Sequence, residues 1–142
     1  MHSLCDVNLL LCMAFDRLDH HYPAKQWLEQ QEEIGAIGVC FSTKLSLLRL
    51  LTNPAVMGVD VCTAQEAWRI VDGFLEDPRF LMLQEPEGLE RQLRELTMPL
   101  KHTPKLWQDA YLAAFAMRCG RKVVTFDRGF RFWKGLAVEV LG

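Results

Sequence analysis

Three aspartates, Asp6, Asp109 and Asp127, occupy positions in this sequence that suggest metal chemistry. Asp6 follows the apolar run HSLC, and Asp127 follows the run KVVTF. If both runs are strands of a parallel sheet, the two carboxylates lie at the same edge, beyond the carboxyl ends of the strands. Carboxylate oxygens without sulfur or imidazole favour Mg²⁺ or Mn²⁺ over zinc. Such an ion can lower the pKa of a bound water and neutralise charge on a phosphoryl oxygen.

Asp109 lies in a stretch with helical periodicity. At about 100° per residue it shares a face with Ala113, Ala116 and Gly120. A face of small residues can approach a sheet closely, so this carboxylate is expected to be partly desolvated, which is unfavourable unless a positive group pairs with it. Two partners are open: an Arg or Lys side chain in a salt bridge, or a metal ion shared with Asp6 and Asp127.

An ordinary structural role is also open for Asp6 and Asp127, because an acidic residue after a strand can cap the next helix or open a turn. No Ser–His–Asp or Cys–His arrangement offers a competing catalytic site. The four histidines, His2, His20, His21 and His102, have no recognisable catalytic spacing. His20 and His21, at the start of the second predicted helix, are expected to be solvated.

The elements that would position these residues alternate between β-rich runs and helical stretches. We predict five strands, at residues 2–5, 35–41, 79–83, 122–126 and 137–141. We predict helices at residues 7–15, 21–31 and 88–96. A further helix begins at a cap formed by Ser42 or Thr43 and ends at residue 51, and another begins at the capping box of Thr63 and Glu66 and ends at residue 75. The last long helix begins at Thr103 and Pro104 and ends at Gly120. The alternation predicts an α/β fold with a mostly parallel sheet covered by helices on both faces.

Composition is that of one globular domain over residues 1–142, with half of the residues apolar and a net charge of −2. This charge does not resemble that of a strongly basic nucleic-acid-binding domain. The sequence has five cysteines, Cys5, Cys12, Cys40, Cys62 and Cys119, an odd number without the spacing of a metal or redox site. We therefore expect reduced cysteines in the core and a cytoplasmic protein. No apolar stretch is long enough to predict a membrane helix.

Four stretches of the chain together match a known family in order. They are residues 6–11 (DVNLLL), 47–54 (LLRLLTNP), 109–114 (DAYLAA) and 125–130 (TFDRGF). Over nearly its whole length the sequence resembles the PIN-domain ribonucleases, particularly the VapC toxins of bacterial type II toxin–antitoxin pairs.

The resemblance implies a five-stranded sheet in the order 3-2-1-4-5 and a metal-dependent endoribonuclease. It implies that Asp6, Asp109 and Asp127 bind Mg²⁺ or Mn²⁺. It implies supporting roles for Asn8, orienting the first aspartate or a water, and for Thr125, donating a hydrogen bond. Asn8 could equally be an ordinary helix-start residue, and Thr125 an ordinary β-branched strand residue. The implied partners are RNA, a small antitoxin and a second copy of the chain.

Lys44 departs from the family pattern, because many members carry a glutamate at the position that it matches. A lysine beside three carboxylates would offset part of their charge and compete with a second metal ion, which suggests a one-metal or weakly binding site. The ammonium could instead bind the scissile phosphate or extend into solvent. Lys44 also keeps open a non-catalytic PIN-like domain that binds RNA or protein without cleaving it.

Basic and aromatic side chains near the expected site offer an RNA surface. The candidate cations are Lys44, Arg49, Arg128, Arg131 and Lys134. The rings of Phe130, Phe132 and Trp133 could stack on unpaired bases or pack the end of the sheet. Residues 7–31 and 47–58 are rich in apolar side chains, which suggests an interface.

Other functions that begin with an aspartate after the first strand fit less well. Aspartyl phosphatases normally need a second acid two residues later, where this chain has Asn8, and receiver domains need an acid pair. Dinucleotide binding is not indicated, because no Gly-x-Gly-x-x-Gly follows the first strand.

Overall fold

Five short strands form one parallel sheet in the computed structural model, which describes residues 1–142. The strands are β1 (Ser3–Cys5), β2 (Ile37–Cys40), β3 (Phe80–Leu83), β4 (Lys122–Thr125) and β5 (Val138–Val140). Their order is β3-β2-β1-β4-β5, and every neighbouring pair is parallel. The predicted α/β class and strand order are confirmed. Because β1 is central and β4 is its neighbour, the residues after these two strands meet at one edge.

Seven α-helices connect the strands. They are α1 (Val7–Ala14), α2 (His21–Glu29), α3 (Phe41–Leu51), α4 (Pro54–Met57), α5 (Ala64–Glu76), α6 (Leu89–Thr97) and α7 (Trp107–Cys119). Short 3-10 helices lie at Gly58–Asp60, Pro104–Leu106 and Arg128–Phe132. None of the helices is long and apolar enough to cross a membrane.

The sheet separates two hydrophobic layers. Alternate residues of a strand point to opposite faces, so Cys5 and Val124 join the layer that includes α1, α3 and α5, while Leu4 and Val123 join the layer that includes α7. Helices therefore cover both faces, as predicted. All five cysteines are free, and three of them are buried.

Two predicted helix starts are wrong. Helix α3 begins at Phe41 with no side-chain cap, because β2 runs directly into it through an extended Cys40. Ser42 and Thr43 therefore lie inside the helix rather than at its cap. Pro104 opens a 3-10 turn rather than α7, and the Thr103 side chain makes no capping hydrogen bond.

Other helix ends follow the sequence signals. The Thr63 hydroxyl accepts from the Glu66 backbone N–H at 3.1 Å, and the Glu66 carboxylate accepts from the Thr63 N–H at 3.0 Å. Gly120 ends α7 in the left-handed conformation, with φ of 66°. The one-turn helix α4 was not predicted, although Asn53 caps it by accepting from the Ala55 N–H at 2.9 Å.

Candidate metal centre

Asp6 follows the central strand and is held on both carboxylate oxygens. Oδ1 accepts a hydrogen bond from the Val7 N–H at 2.8 Å, which caps α1. Oδ2 accepts from the Thr125 hydroxyl at 2.7 Å. The capping role and the role in an acidic site are therefore compatible, since the cap fixes the direction of the carboxylate.

The Thr125 hydroxyl joins the residues that follow β1 and β4. It is fully buried, donates to Asp6, and accepts from the Asp127 backbone N–H at 2.9 Å. Asn8 adds a longer contact, from Nδ2 to Thr125 Oγ1 at 3.4 Å, while its Oδ1 accepts from the Phe126 N–H at 3.3 Å. These two polar residues fix the spacing between the ends of the two strands.

Thr125→Val is expected to lower the free energy of unfolding by about 1–3 kcal/mol, because it removes the hydroxyl that donates to the Asp6 carboxylate and accepts from the Asp127 N–H. A change in a residue that only orients a metal ligand typically costs about 10–100-fold in metal affinity or activity. Thr125→Ser keeps the hydroxyl and is the matched control. Chemical denaturation and Mn²⁺ titration of both variants test this. Equal losses of stability and of Mn²⁺ affinity in Thr125→Val and Thr125→Ser would exclude the hydroxyl as the cause.

Asp109 and Asp6 both line a cavity of about 260 Å³, which we call the acidic cavity. Ala113 and Ala116 lie fully buried on the same helix, as the small-residue pattern predicted, and Asp109 itself is half-buried. No Lys or Arg forms an ion pair with any of the three aspartates. The salt bridge considered from the sequence is therefore absent.

The carboxylates of this site carry uncompensated negative charge. Burial raises the pKa of Asp109 to about 6, and the charges of Asp6 and Asp127 raise it in the same direction. Burial also raises the pKa of Asp6, assisted by the charge of Asp127 and opposed by the hydrogen bonds from Thr125 and Val7. A bound cation would reverse this electrostatic cost.

Asp127 is exposed and directed toward its own turn. Its Oδ1 accepts from the Gly129 N–H at 2.8 Å, which caps the 3-10 helix Arg128–Phe132. It does not line the cavity shared by Asp6 and Asp109, and no three acidic, histidine or cysteine side chains converge as a set of metal ligands. The predicted convergence of three carboxylates is not observed in this conformation, because the Asp127 side chain caps a turn. By donor chemistry, two carboxylates on one cavity, with a third close enough to raise the pKa of both, still fit a hard divalent cation.

Lys44 does not approach the carboxylates, contrary to the expectation of a cation beside them. Its ammonium lies over the Trp68 ring, 5.7 Å from the centroid, on the side of α3 that faces α5. The residues of α3 that line the acidic cavity are Ser42, Thr43, Ser46, Arg49 and Leu50. Lys44 is about 160° from Ser46 around the helix axis, at about 100° per residue. The proposed charge tuning and phosphate contact by Lys44 therefore lack a geometric basis.

Ser46→Glu is expected to strengthen Mn²⁺ binding by about tenfold, the scale on which changes near metal ligands act, because it adds a carboxylate to the acidic cavity. Lys44→Glu introduces the same side chain on the opposite face and is expected to leave Mn²⁺ affinity unchanged. Calorimetric titration of the two variants measures this. A larger gain in Lys44→Glu than in Ser46→Glu would contradict the placement described above.

The other predicted substrate residues are divided between surface and core. Arg49 lines the acidic cavity, whereas Arg128, Arg131 and Lys134 are exposed outside it. Phe130 and Trp133 are buried, so their packing interpretation is confirmed. Phe132 is exposed and packs edge-on against Trp133, with ring centroids 4.9 Å apart.

Residues that sequence reasoning missed include Ser46 and Gln108 in the acidic cavity, and the Ser42 hydroxyl that donates to Gln108 at 3.3 Å. Helical periodicity through Arg49 could have identified Ser46 and Ser42. No signal in the sequence pointed to Gln108.

Comparisons with known proteins agree with the fold and the motifs. The profile of the PIN domain family matches residues 4–132. The chain is 40% identical to Ribonuclease VapC41 of Mycobacterium tuberculosis over 97% of each protein. It is 30% identical to Ribonuclease VapC38 of the same organism, over 89% of this chain and 86% of the relative.

Solved structures share the fold at low sequence identity. VapBC2 from Rickettsia felis, bound to a DNA fragment from its promoter, superposes with a TM-score of 0.72 at 15% identity, covering 100% of both chains. Mycobacterium tuberculosis VapC20, described as a toxin that cleaves the sarcin–ricin loop, gives a TM-score of 0.70 at 14% identity, covering 95% of this chain and 96% of that one.

Proposed function

This chain belongs to the PIN-domain family, and we propose that it is a VapC-type ribonuclease that hydrolyses RNA phosphodiester bonds with Mg²⁺ or Mn²⁺. The observation that carries the proposal is that Asp6 and Asp109 line one cavity, are partly buried and form no salt bridge with a cationic side chain. Family members named ribonucleases, at 40% and 30% identity, support the same activity.

Each residue of the site has a defined task in this proposal. Asp6, held by Thr125 and Val7, and Asp109 would bind the ion, and Asp127 would supply further negative charge. The ion would lower the pKa of an attacking water and neutralise charge on the phosphoryl group. Arg49, on the wall of the same cavity, is placed to contact a phosphate.

Partners follow from the same family membership. We infer a small antitoxin that binds this chain, since several solved relatives are described as VapBC or toxin–antitoxin complexes. We infer a homodimer and action in the cytoplasm, as the sequence suggested. In the apolar regions considered as interfaces, residues 7–31 and 47–58, Tyr22 and Val56 are exposed, whereas Leu9 and Trp27 belong to the core.

A PIN-like domain that binds RNA without cleaving it is the second candidate. It is favoured by the capping role of Asp127, which leaves no three side chains converging on one ion. It no longer draws support from Lys44, whose ammonium lies over Trp68.

Incubation of the purified chain with total RNA distinguishes the two candidates. Cleavage that requires Mg²⁺ or Mn²⁺ and stops on addition of EDTA is the expected result. RNA binding without cleavage at every concentration of either ion would instead support the binding domain.

A further inference from the structure

A second cavity, which we call the aromatic groove, adjoins the acidic cavity. Its volume is about 950 Å³, within the range typical of ligand sites. Ser42, Gln108 and Tyr111 line both cavities, so the two are adjacent and share a wall. A chain-like ligand bound at the two carboxylates could therefore extend over this wall into the groove.

The groove exposes large rings that the fold does not use. Phe41 and Trp107, the first residues of α3 and α7, are 60% and 57% exposed, and both line the groove. Leu45, one helical turn from Phe41, is also largely exposed. An apolar patch that remains open in the folded chain is characteristic of a binding surface.

Charge restricts what the groove can hold. Glu85 is the only charged residue that lines it, so the groove offers no cation for a phosphate. The Tyr111 hydroxyl donates to Glu85 Oε1 at 2.8 Å, and Oε2 has no hydrogen-bond partner. A flat, uncharged group that donates hydrogen bonds complements this lining.

We propose that the aromatic groove binds an unpaired, amino-bearing base of RNA adjacent to the phosphodiester bond at the acidic cavity. Unpaired bases stack on aromatic side chains, and the sugar–phosphate backbone would run past the groove rather than through it. A glutamate accepts hydrogen bonds from base amino groups such as that of cytosine, whereas uracil lacks one. The proposal rests on the proposed ribonuclease function and specifies which part of the substrate is recognised.

Two other occupants would also cover an apolar groove: a peptide segment of a partner protein and a second copy of this chain. RNA is favoured because the groove shares a wall with the cavity where the scissile phosphate would lie. The Ser42 to Gln108 hydrogen bond, at 3.3 Å, spans this wall and joins the starts of α3 and α7.

Photocrosslinking locates the base directly. Oligoribonucleotides carrying 5-iodocytidine are irradiated with the Asp6→Asn variant in Mg²⁺, and the crosslinked peptides are mapped by mass spectrometry. Crosslinks at Phe41, Trp107 or Tyr111 support the proposal. Crosslinks confined to other surfaces, such as that around Phe132, overturn it.

Binding measurements test the contribution of the rings. Phe41→Ala and Trp107→Ala are each expected to weaken oligocytidylate binding by about tenfold, the scale of one base stacked on an aromatic ring. Both side chains are exposed, so folding should be preserved. Tyr22→Ala is the matched control, because Tyr22 is a 69% exposed aromatic residue outside the groove. Unchanged affinity in both groove variants overturns the proposal.

The base preference and the oligomeric state complete the test. The wild type is expected to bind oligocytidylate more tightly than oligouridylate, and Glu85→Gln is expected to reduce that difference. Equal binding of the two oligomers by the wild type would overturn the amino-group recognition. A loss of dimer mass in Phe41→Ala, measured by light scattering without loss of RNA affinity, would assign the groove to a second copy and overturn the proposal.

Failure of this inference and failure of the ribonuclease proposal give different results. A chain that crosslinks through the groove but cuts no RNA contradicts the ribonuclease function and supports base binding. A chain that cuts RNA at the same rate after Phe41→Ala and Trp107→Ala contradicts only the groove.

Discussion

Asp6→Asn is expected to reduce metal-dependent RNA cleavage by at least about 100-fold, the upper end of the loss caused by changing a residue that merely orients a metal ligand. The substitution removes the charge that would bind the ion. It preserves the shape of the side chain and an oxygen that can accept from the Val7 N–H, so α1 should keep its cap. Single-turnover cleavage of a defined RNA, with circular dichroism to confirm folding, measures the effect.

Asp72→Asn is the control for Asp6→Asn, because Asp72 is exposed on α5, away from the acidic cavity. It is expected to cleave RNA at the wild-type rate. Equal rates for wild type and Asp6→Asn would exclude Asp6 as a metal-binding residue in cleavage.

Asp109→Asn is expected to stabilise the metal-free protein at neutral pH while abolishing cleavage. Burial and the neighbouring carboxylates raise the pKa of Asp109 from 3.8 to about 6 in the folded state. The folded state therefore binds a proton on the Asp109 carboxylate more tightly than the unfolded chain does, and protonation of Asp109 favours folding. The resulting stability is fully present below about pH 4 and is lost as pH rises through about 6.

The size of this effect is limited by solvent. The rise in the pKa of Asp109 from 3.8 to about 6 corresponds to at most about 3 kcal/mol in the free energy of unfolding. Because Asp109 is about half exposed, we expect about 1 kcal/mol after solvent screening. For a domain of this length that is about 3 °C in melting temperature.

Thermal melts in EDTA at pH 4 and pH 8 measure the difference between Asp109→Asn and the wild type. The variant should melt higher at pH 8 and equally at pH 4, and addition of Mn²⁺ should stabilise only the wild type. A variant that melts lower than the wild type at pH 8 in EDTA would contradict the electrostatic account of the cavity.

Local signals predicted the elements well and their ends less well. The apolar run at residues 35–41 was predicted as one strand, but only Ile37–Cys40 pairs in the sheet and Phe41 begins a helix. Hydrophobicity does not distinguish a buried strand from the first turn of a buried helix. Periodicity did predict the small-residue face of Asp109, because that pattern depends only on helix geometry.

The direction of individual side chains was harder to predict than their position in the chain. Lys44 lies near the start of α3, as the motif match implied, but it shares a helical face with Leu47 and Leu51 and turns toward Trp68. The sequence offered no information on the packing of α5 against α3. Asp127 had been open to a capping role, and the structure shows that cap.

The aromatic groove could not have been predicted from the sequence. Phe41 and Trp107 lie far apart in the chain. They line one groove only because the fold brings the starts of α3 and α7 close together. In the sequence, Phe41 and Trp107 cannot be distinguished from ordinary aromatic residues of the core.

Isothermal titration of Mn²⁺ into the metal-free protein at pH 6 tests the acidic centre most directly. The wild type should bind Mn²⁺ and release protons, because Asp109 is partly protonated near its pKa of about 6 and must ionise to bind the metal. Comparison of buffers with different ionisation enthalpies measures that release, and both Asp6→Asn and Asp109→Asn should lose the binding. Absence of binding in the wild type, or unchanged binding and proton release in both variants, would contradict a metal centre built on these aspartates.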